Sequence, residues 1–589
     1  MTRSKPLSHN ASRSPLRRPA ASALALALTT LGAPPAAAQV QNRCASSDAL
    51  QNYGNQHSHW PQTDPTGRWM VFHSRATNLV FQDTNGVQDV FLKDFGTGLT
   101  ERISIGALGQ ANDDSREPRI SGTGRWVVYA SDANNLSPFD PNRDSDIYLA
   151  DRLLQTTELI STSHLGIVGN GPSFHPSVSD DGRYVAFHSQ ATNLVPGGLP
   201  GGTQVFVKDR LTGEVTLCSR TPVPPPVLPV PGNGASRWAR ISRSGQFVVF
   251  ASDATDLLPG DTNNRTDVYT YDLSTDRLWR SSLGPGGVEP NGACSFPDID
   301  EFGQTICYES FATNLVPGHG GLGVYVTDAI GSFVQAVNTT PLGAPGNGSA
   351  SQPAIAGRGR WVVFATSSSD LVAGVGDSRG IVALDRVTGR RVHASVSLLG
   401  GPPNGSCQRP TISDDGRFVG YVSAAPNLLP GKVLVIEDAI RADVNPPVVA
   451  TVTPGGPGCP GSNGAFPVLG AIAGELPWIG FDFHMHGTGA PGLFGIVLIG
   501  ASDTVWNGVP LPMPLDPLGA PGCALRTSVE LSLFTLVDPA VGTWSADLSI
   551  PNDIALRGVG LHAQTWLSDP GFNAFDSVVS SALDFTIGG

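Results

Sequence analysis

Pro176-Ser-Val-Ser-Asp-Asp-Gly182-Arg-Tyr-Val-Ala-Phe-His-Ser-Gln-Ala-Thr-Asn-Leu194 decides the reading of this chain, because the phrase occurs seven times. It runs from Pro61 to Leu79 and returns from Pro118, Pro176, Ala239, Pro297, Pro353 and Pro410. Its marker glycines are Gly67, Gly124, Gly182, Gly245, Gly303, Gly359 and Gly416, spaced by 56 to 63 residues. A self-similarity of that period is the mark of a repeat architecture. Within the phrases a glycine turn, preceded by Ser, Thr or Asp in five of the seven, needs the positive φ that glycine accepts cheaply and precedes a β-branched and aromatic run. A second strand follows a loop, as in Asp89-Val-Phe-Leu-Lys-Asp94 and Asp146-Ile-Tyr-Leu-Ala-Asp151. A short Gly-containing turn then leads to another strand, as in Thr100 to Ser104.

A single small sheet leaves one face bare, whereas seven sheets stacked around an axis cover one another and leave only short edges. The expected fold is therefore all-β: a seven-bladed β-propeller over 58–442, followed by a small β-sandwich-like domain over 450–589. A linear β-solenoid is the alternative, although its period is normally shorter. Residues 39–57 hold a strand candidate, from Asn42 on, that would complete the last blade. Residues 443–449, with Asn445-Pro446-Pro447, read as a linker.

The repeated phrase resembles the TolB-type, WD-repeat-like propeller family, whose signature is Pro-x-(Ile/Trp)-Ser-x-Asp-Gly followed by an aromatic and β-branched run. Pro176 to Ser189 and Pro410 to Ser423 carry it most fully. The resemblance spans about residues 58–442 and implies fold rather than function, since relatives range from envelope proteins to peptidase propellers. Nothing like the non-propeller domain of TolB is present.

After Pro446 the composition changes. Two basic residues, Arg526 and Arg557, face eleven acidic ones. Strand-like runs recur at Phe494–Ile499, Val529–Leu533, Trp544–Ile550 and Gly560–Trp566. Gly458-Cys-Pro-Gly, Leu498 to Pro512 and Pro521-Gly-Cys523 together resemble a C-terminal module of secreted proteins from Planctomycetes-like bacteria. Cys459 and Cys523 are then either a disulfide closing 64 residues or two buried thiols.

Composition bounds the function. Gly and Pro, 70 and 49 of 589 residues, make about a fifth of the chain, against roughly 12% on average. The net charge is −13, which argues against nucleic acid and anionic lipid as partners. Residues 1–38 read as a secretory signal: Arg17-Arg18, the apolar Ala21–Leu31, then Ala36-Ala37-Ala38. After its cleavage no other run is long enough to span a membrane. Export to the periplasm, cell envelope or extracellular space follows. The seven cysteines are an odd number, so at least one lacks an intramolecular partner.

Three blades place Asp-x-Asn before a strand: Asp83, Asn85 and Asp89; Asp140, Asn142, Asp144 and Asp146; Asp261, Asn263 and Asp267. Alternating oxygen ligands suit calcium in a short loop. Asp and Asn also fold loops through their own hydrogen bonds, and both readings stand at this point. His73 and His188 share one repeat position and read as packing. His484 and His486 would share a strand face, and His57-Ser58-His59 reads as exposed. No Gly-x-Ser-x-Gly elbow stands between a strand and a helix. The expected function is a noncatalytic propeller that binds a protein or glycan. The alternative is an extracellular hydrolase or lyase acting on polysaccharide or peptide. Paired carboxylates at the axial mouth would favour the enzyme, and a Ser/Thr/Gly mouth without shifted titratable groups would favour binding.

Overall fold

The computed structural model describes residues 40–222, 230–372, 379–444 and, with short interruptions, 451–471, 482–550 and 559–586. The expected signal segment and most of the linker lie outside the described residues. Two units are present, Gln39–Pro446 and the segment from Pro447 on.

The first unit is a seven-bladed propeller of four-stranded antiparallel sheets. Blade 1 is Ser58–Thr63, Trp69–Ser74, Asp89–Asp94 and Thr100–Arg102. Blades 2 to 6 repeat that order, beginning at Ser115, Ser173, Ser236, Cys294 and Ala350. Blade 7 takes Cys407–Ile412, Phe418–Ser423 and Asp438–Asp443 from its own repeat and Gln41–Cys44 from the N-terminal segment. The first strand of each blade touches the first strand of the next, and that of blade 7 touches that of blade 1, closing the ring.

The recurring phrase has a physical reason at nearly every position. In five blades an arginine follows the turn glycine and grips the aspartate ending the third strand with two parallel hydrogen bonds. Arg125 Nε and Nη2 donate to Asp151 at 2.9 and 2.6 Å, and Arg183 repeats the geometry on Asp209 at 2.9 and 2.7 Å. Such bidentate pairs are the strong form of the ion pair. The same guanidinium covers the next aromatic, with Arg125 at 4.2 Å from the Trp126 ring centre. That ring lies across the turn of the following blade. A Cβ on Gly182 (φ +72°) would meet Trp126 at 2.4 Å, and one on Gly124 (φ +70°) would meet Trp69 at 2.3 Å. Glycine is required there for space as well as for dihedral. Stacked aromatic pairs fill the blades, among them Phe187 with Phe206 and Tyr129 with Tyr148, about 6 Å apart.

The C-terminal unit is one eight-stranded sheet. In spatial order its strands are Thr451–Pro454, Ser577–Thr586, Gly560–Ser568, Phe494–Gly500, Leu531–Asp538, Thr543–Ser549, Asp482–Thr488 and Val468–Ala471. Leu531–Leu536 pair with Phe494–Ile499, and Val537–Asp538 then pair with Thr543–Trp544, so one strand turns the corner between two faces. The outer edges approach: Leu469 N–H donates to Ser581 Oγ at 3.1 Å, and Ser581 N–H donates to Pro467 O at 2.9 Å. The sandwich-like expectation thus takes a nearly barrel-like form around Phe483, Met485, Val497, Leu561 and Phe585. Cys459 and Cys523 form a buried disulfide. Cys44, Cys218, Cys294, Cys307 and Cys407 are buried free thiols, and burial pushes Cys44 up to about 12 and Cys407 to about 11. Thiols so protonated are inert. Among the described residues no helix is long and apolar enough to cross a membrane.

Candidate functional site

The innermost strand of every blade carries the same irregularity. The residue before the phrase begins has a left-handed backbone: Trp60, Glu117, His175, Trp238, Phe296, Gln352 and Arg409, with φ between 48° and 57°. The ladder with the second strand slips at each of these points, as between His59 and Gln62 in blade 1. Two residues face one across the strand, which is a β-bulge. In six blades the next residue is proline, which has no N–H to leave unpaired at the bulge. Non-glycine residues in this region cost on the order of 1 kcal/mol each, and such strain concentrates at binding and catalytic sites. All seven side chains are half-buried.

The bulges form the upper tier of an axial cavity, lined there by Trp60, Trp238, Phe296, Gln352 and Arg409. The next tier is Gln62, Arg119, Arg240, Asp298, Ala354 and Thr411. Beyond it lies a charge cluster shared between blades. Arg243 reaches Asp414 at 2.8 Å, Glu301 at 3.1 Å and Asp180 at 3.6 Å, joining blades 3, 4, 5 and 7.

The upper tiers are differently balanced. The Arg119 guanidinium makes no hydrogen bond or ion pair among the described residues, and neither does that of Arg409, which lies on the Trp60 ring at 3.7 Å. Arg240 donates from Nη1 to Ala239 O at 3.0 Å, its Nε is unpaired, and Asp298 stands 4.0 Å from it. Burial, reinforced by Arg240 against the opposing Asp298, brings Arg119 down to about 9. Glu117 accepts the His175 backbone N–H at 2.8 Å and stands 3.2 Å from its Nδ1. Burial raises Glu117 and lowers His175. The mouth is therefore not the Ser/Thr/Gly lining expected of a plain binding face. It is aromatic, cationic and rich in shifted groups.

His73 and His188 lie buried behind this tier, and His73 Nδ1 accepts the Glu117 backbone N–H at 3.1 Å. His57, His59 and Glu437 bring their ligand atoms within 4.8 Å of one another, a set able to hold a metal ion. Glu437 N–H donates to His57 Nδ1 at 3.2 Å, and Gln408 donates to Glu437 Oε1 at 2.8 Å. The His484 side chain lies outside the described residues.

The Asp-x-Asn loops separate into two kinds. In blade 1, Arg102 Nη1 lies 3.0 Å from Asp83 and 3.2 Å from Asp89, and Asn85 donates to Asp89 at 2.9 Å. In blade 4, Arg280 Nη1 lies 3.2 Å from Asp261 and 3.7 Å from Asp267, and Asn263 donates to Asp267 at 2.9 Å. A guanidinium stands where those two loops were expected to place calcium. In blade 2 no guanidinium pairs with Asp140, Asp144 or Asp146 among the described residues; Asp140 accepts the Asn142 backbone N–H at 3.2 Å and the Tyr148 hydroxyl, and Ser161 donates to Asp146 at 2.6 Å. Burial raises Asp146 to about 7, with Asp140 and Asp144 adding to the effect against the Ser161 hydrogen bond.

The axial tier escaped sequence reading because the recurring phrase starts one residue too late. The site is the position just before it, where seven similar repeats carry Trp, Glu, His, Trp, Phe, Gln and Arg. Variation at one fixed place in a uniform repeat was the available signal.

Searches against protein-family models and against curated proteins match nothing. Solved structures with the propeller arrangement include the oligogalacturonate lyase of Vibrio parahaemolyticus, at 12% identity over 70% of this chain and 99% of that one (TM-score 0.42). A TolB-like protein of Agrobacterium tumefaciens is 15% identical over 50% of this chain and 87% of that one (TM-score 0.31). An acylaminoacyl peptidase is 13% identical over 73% and 57% (TM-score 0.38). Their activities differ, so the likeness reaches the propeller architecture and goes no further.

Proposed function

We propose that this chain is an exported, noncatalytic binding propeller that takes the anionic group of a protein or glycan ligand into its axial mouth. The observation that carries the reading is the set of three guanidiniums, Arg119, Arg240 and Arg409, whose donors are almost all unused and which face one cavity beside Trp60, Trp238 and Phe296. Guanidinium forks match carboxylate and phosphate oxygens, and aromatic faces cover the apolar body that carries them. The buried Cys459–Cys523 disulfide supports export, because such bonds persist in oxidising compartments. The C-terminal unit, by its likeness to modules of secreted proteins, serves as an accessory domain.

The test is calorimetric titration of acidic and neutral oligosaccharides and peptides into the mature protein. Arg119→Gln is expected to weaken an acidic ligand by about 10- to 100-fold, the value of one or two charge-assisted hydrogen bonds. Equal affinity for neutral and acidic ligands would sink the anion requirement.

A second reading, a hydrolase or lyase, is favoured by the Glu117–His175 contact, since a carboxylate that orients an imidazole makes a general base. Turnover of an acidic polysaccharide or a peptide that disappears in Glu117→Gln, with binding retained, would replace the first reading by this one.

A further inference from the structure

All seven blades carry an exposed asparagine just ahead of the innermost strand. Its backbone N–H donates to the Asn or Asp that precedes the last leucine of the recurring phrase, as Asn170 does to Asn193 Oδ1 at 3.0 Å. In six blades its side chain is clamped as well. Asn170 Nδ2 donates to Thr192 Oγ1 at 2.8 Å, and Thr192 N–H donates back to Asn170 Oδ1 at 2.7 Å. Thr77, Asn134, Thr255, Thr313 and Ser369 close the same ring of hydrogen bonds on Asn55, Asn112, Asn233, Asn291 and Asn347.

Blade 7 is the exception. Pro426 takes the clamping place, and proline has neither an N–H to donate nor a hydroxyl to receive one. Asn404 keeps its backbone bond to Asn427 Oδ1 at 3.0 Å, but among the described residues its side chain makes no hydrogen bond. Glycine follows this asparagine in blades 3 to 7, as Gly171, Gly234, Gly292, Gly348 and Gly405. In blades 4 and 5 a close approach of backbone requires it, since a Cβ would meet Ala254 N at 2.5 Å and Ala312 N at 2.6 Å. Asn-Gly is also the pair most open to self-reaction, because no Cβ screens the glycine nitrogen and the backbone there turns freely. A carboxamide held by both its oxygen and its nitrogen cannot turn to meet that nitrogen. Asn85, which also precedes a glycine, is held by Asp89 and the Ala111 carbonyl.

We propose that Asn404 is the propeller's site of spontaneous deamidation, singled out by Pro426. The Gly405 nitrogen loses its proton and bonds to Asn404 Cγ, the Cγ–Nδ2 bond breaks, and ammonia leaves a cyclic succinimide behind. One water then opens the ring at either carbonyl, giving aspartate or isoaspartate. No oxidant or reductant is needed. Both products add a negative charge. The isoaspartyl form also adds a methylene to the backbone shortly before Cys407–Ile412, the strand that carries Arg409 and touches the first strand of blade 1. The site stands whether or not the mouth binds an anion.

The test is incubation of the folded mature protein at mildly alkaline pH, followed by peptide mapping of aspartate and isoaspartate at the Asn-Gly pairs of blades 3 to 7. Asn404 is expected to react about 10- to 30-fold faster than the four clamped asparagines, the value of two side-chain hydrogen bonds. In urea, which opens every clamp, the rates are expected to converge. Pro426→Thr supplies the N–H and hydroxyl found in blades 1, 3, 4 and 5 and is expected to bring Asn404 down to the rate of the others. If that variant does not fold, Thr192→Val serves in its place: it removes the hydroxyl from the blade 3 clamp and is expected to speed Asn170. Equal rates across the five pairs in the folded protein overturn the proposal. A lead for Asn404 that persists in Pro426→Thr overturns it, as does an Asn170 rate unmoved by Thr192→Val. A lead of the same size in urea overturns it too, since neighbouring sequence and not the missing clamp would then set the rate.

Discussion

The two units are built from the same kind of strand and are held in different ways. The propeller uses small repeated devices, an arginine on an aspartate in five blades and an aromatic over a glycine turn in most. The C-terminal unit, with two arginines after Pro446, has little charge to work with. It relies on a bent sheet, an apolar centre and a covalent bond. One damaged blade leaves six others intact, whereas the smaller unit concentrates its stability in few places.

That contrast is broken most sharply at the disulfide. Cys459→Ser with Cys523→Ser is expected to lower the stability of the C-terminal unit by about 4 kcal/mol on the chain-entropy model for 64 residues. Calorimetry with separate transitions would show the propeller unmoved, and a shift in both would mean that the units unfold together. Phe187→Ala should do the converse. It removes a fully buried ring stacked 5.9 Å from Phe206 and should cost the propeller about 3–4 kcal/mol, read as a lower denaturation midpoint for that transition.

Acid sharpens the comparison further. Hydrogen bonds from Arg68, Arg125 and Arg183 hold Asp94, Asp151 and Asp209 below the usual carboxylate range, and Asp385 lies at about 2, burial being outweighed by Arg360 and its other hydrogen bonds. Folded-state values below the unfolded ones contribute stability that is complete above about pH 4 and is lost as pH falls through the folded values. Urea midpoints measured from pH 6 to pH 2 should fall for the propeller below about pH 4. A flat profile would remove the arginine–aspartate grip from the account. The smallest effect is expected from one such pair: Arg125→Gln should lower the propeller's urea midpoint only slightly, because the arginine is exposed and screened.

How much of this was legible depended on repetition. Seven copies of a turn glycine, five of them followed by an arginine and six by an aromatic one residue further on, made the propeller readable, since each copy tests the others. The bend at Leu531–Asp538 occurs once, and no local residue pattern distinguishes a strand that turns a corner from one that ends. The guanidinium in the blade 1 and blade 4 loops was hidden because Arg102 and Arg280 belong to the outermost strand, some 13 residues beyond the aspartates they serve. The axial mouth was hidden because its defining residues differ from blade to blade, and attention to what recurs passes over what varies.

The pairing of Gln41–Cys44 with Asp438–Asp443 has a consequence in time. The strand that completes the ring is made first, and the one it must join is made nearly four hundred residues later. Six blades can form as they emerge, but the seventh stays a three-stranded fragment with an open edge until the whole propeller has been delivered. Joining distant segments is slow, and an unpaired edge in the interval invites association between chains. A chain lacking Gln41–Cys44 would lose one short strand yet never leave that vulnerable stage.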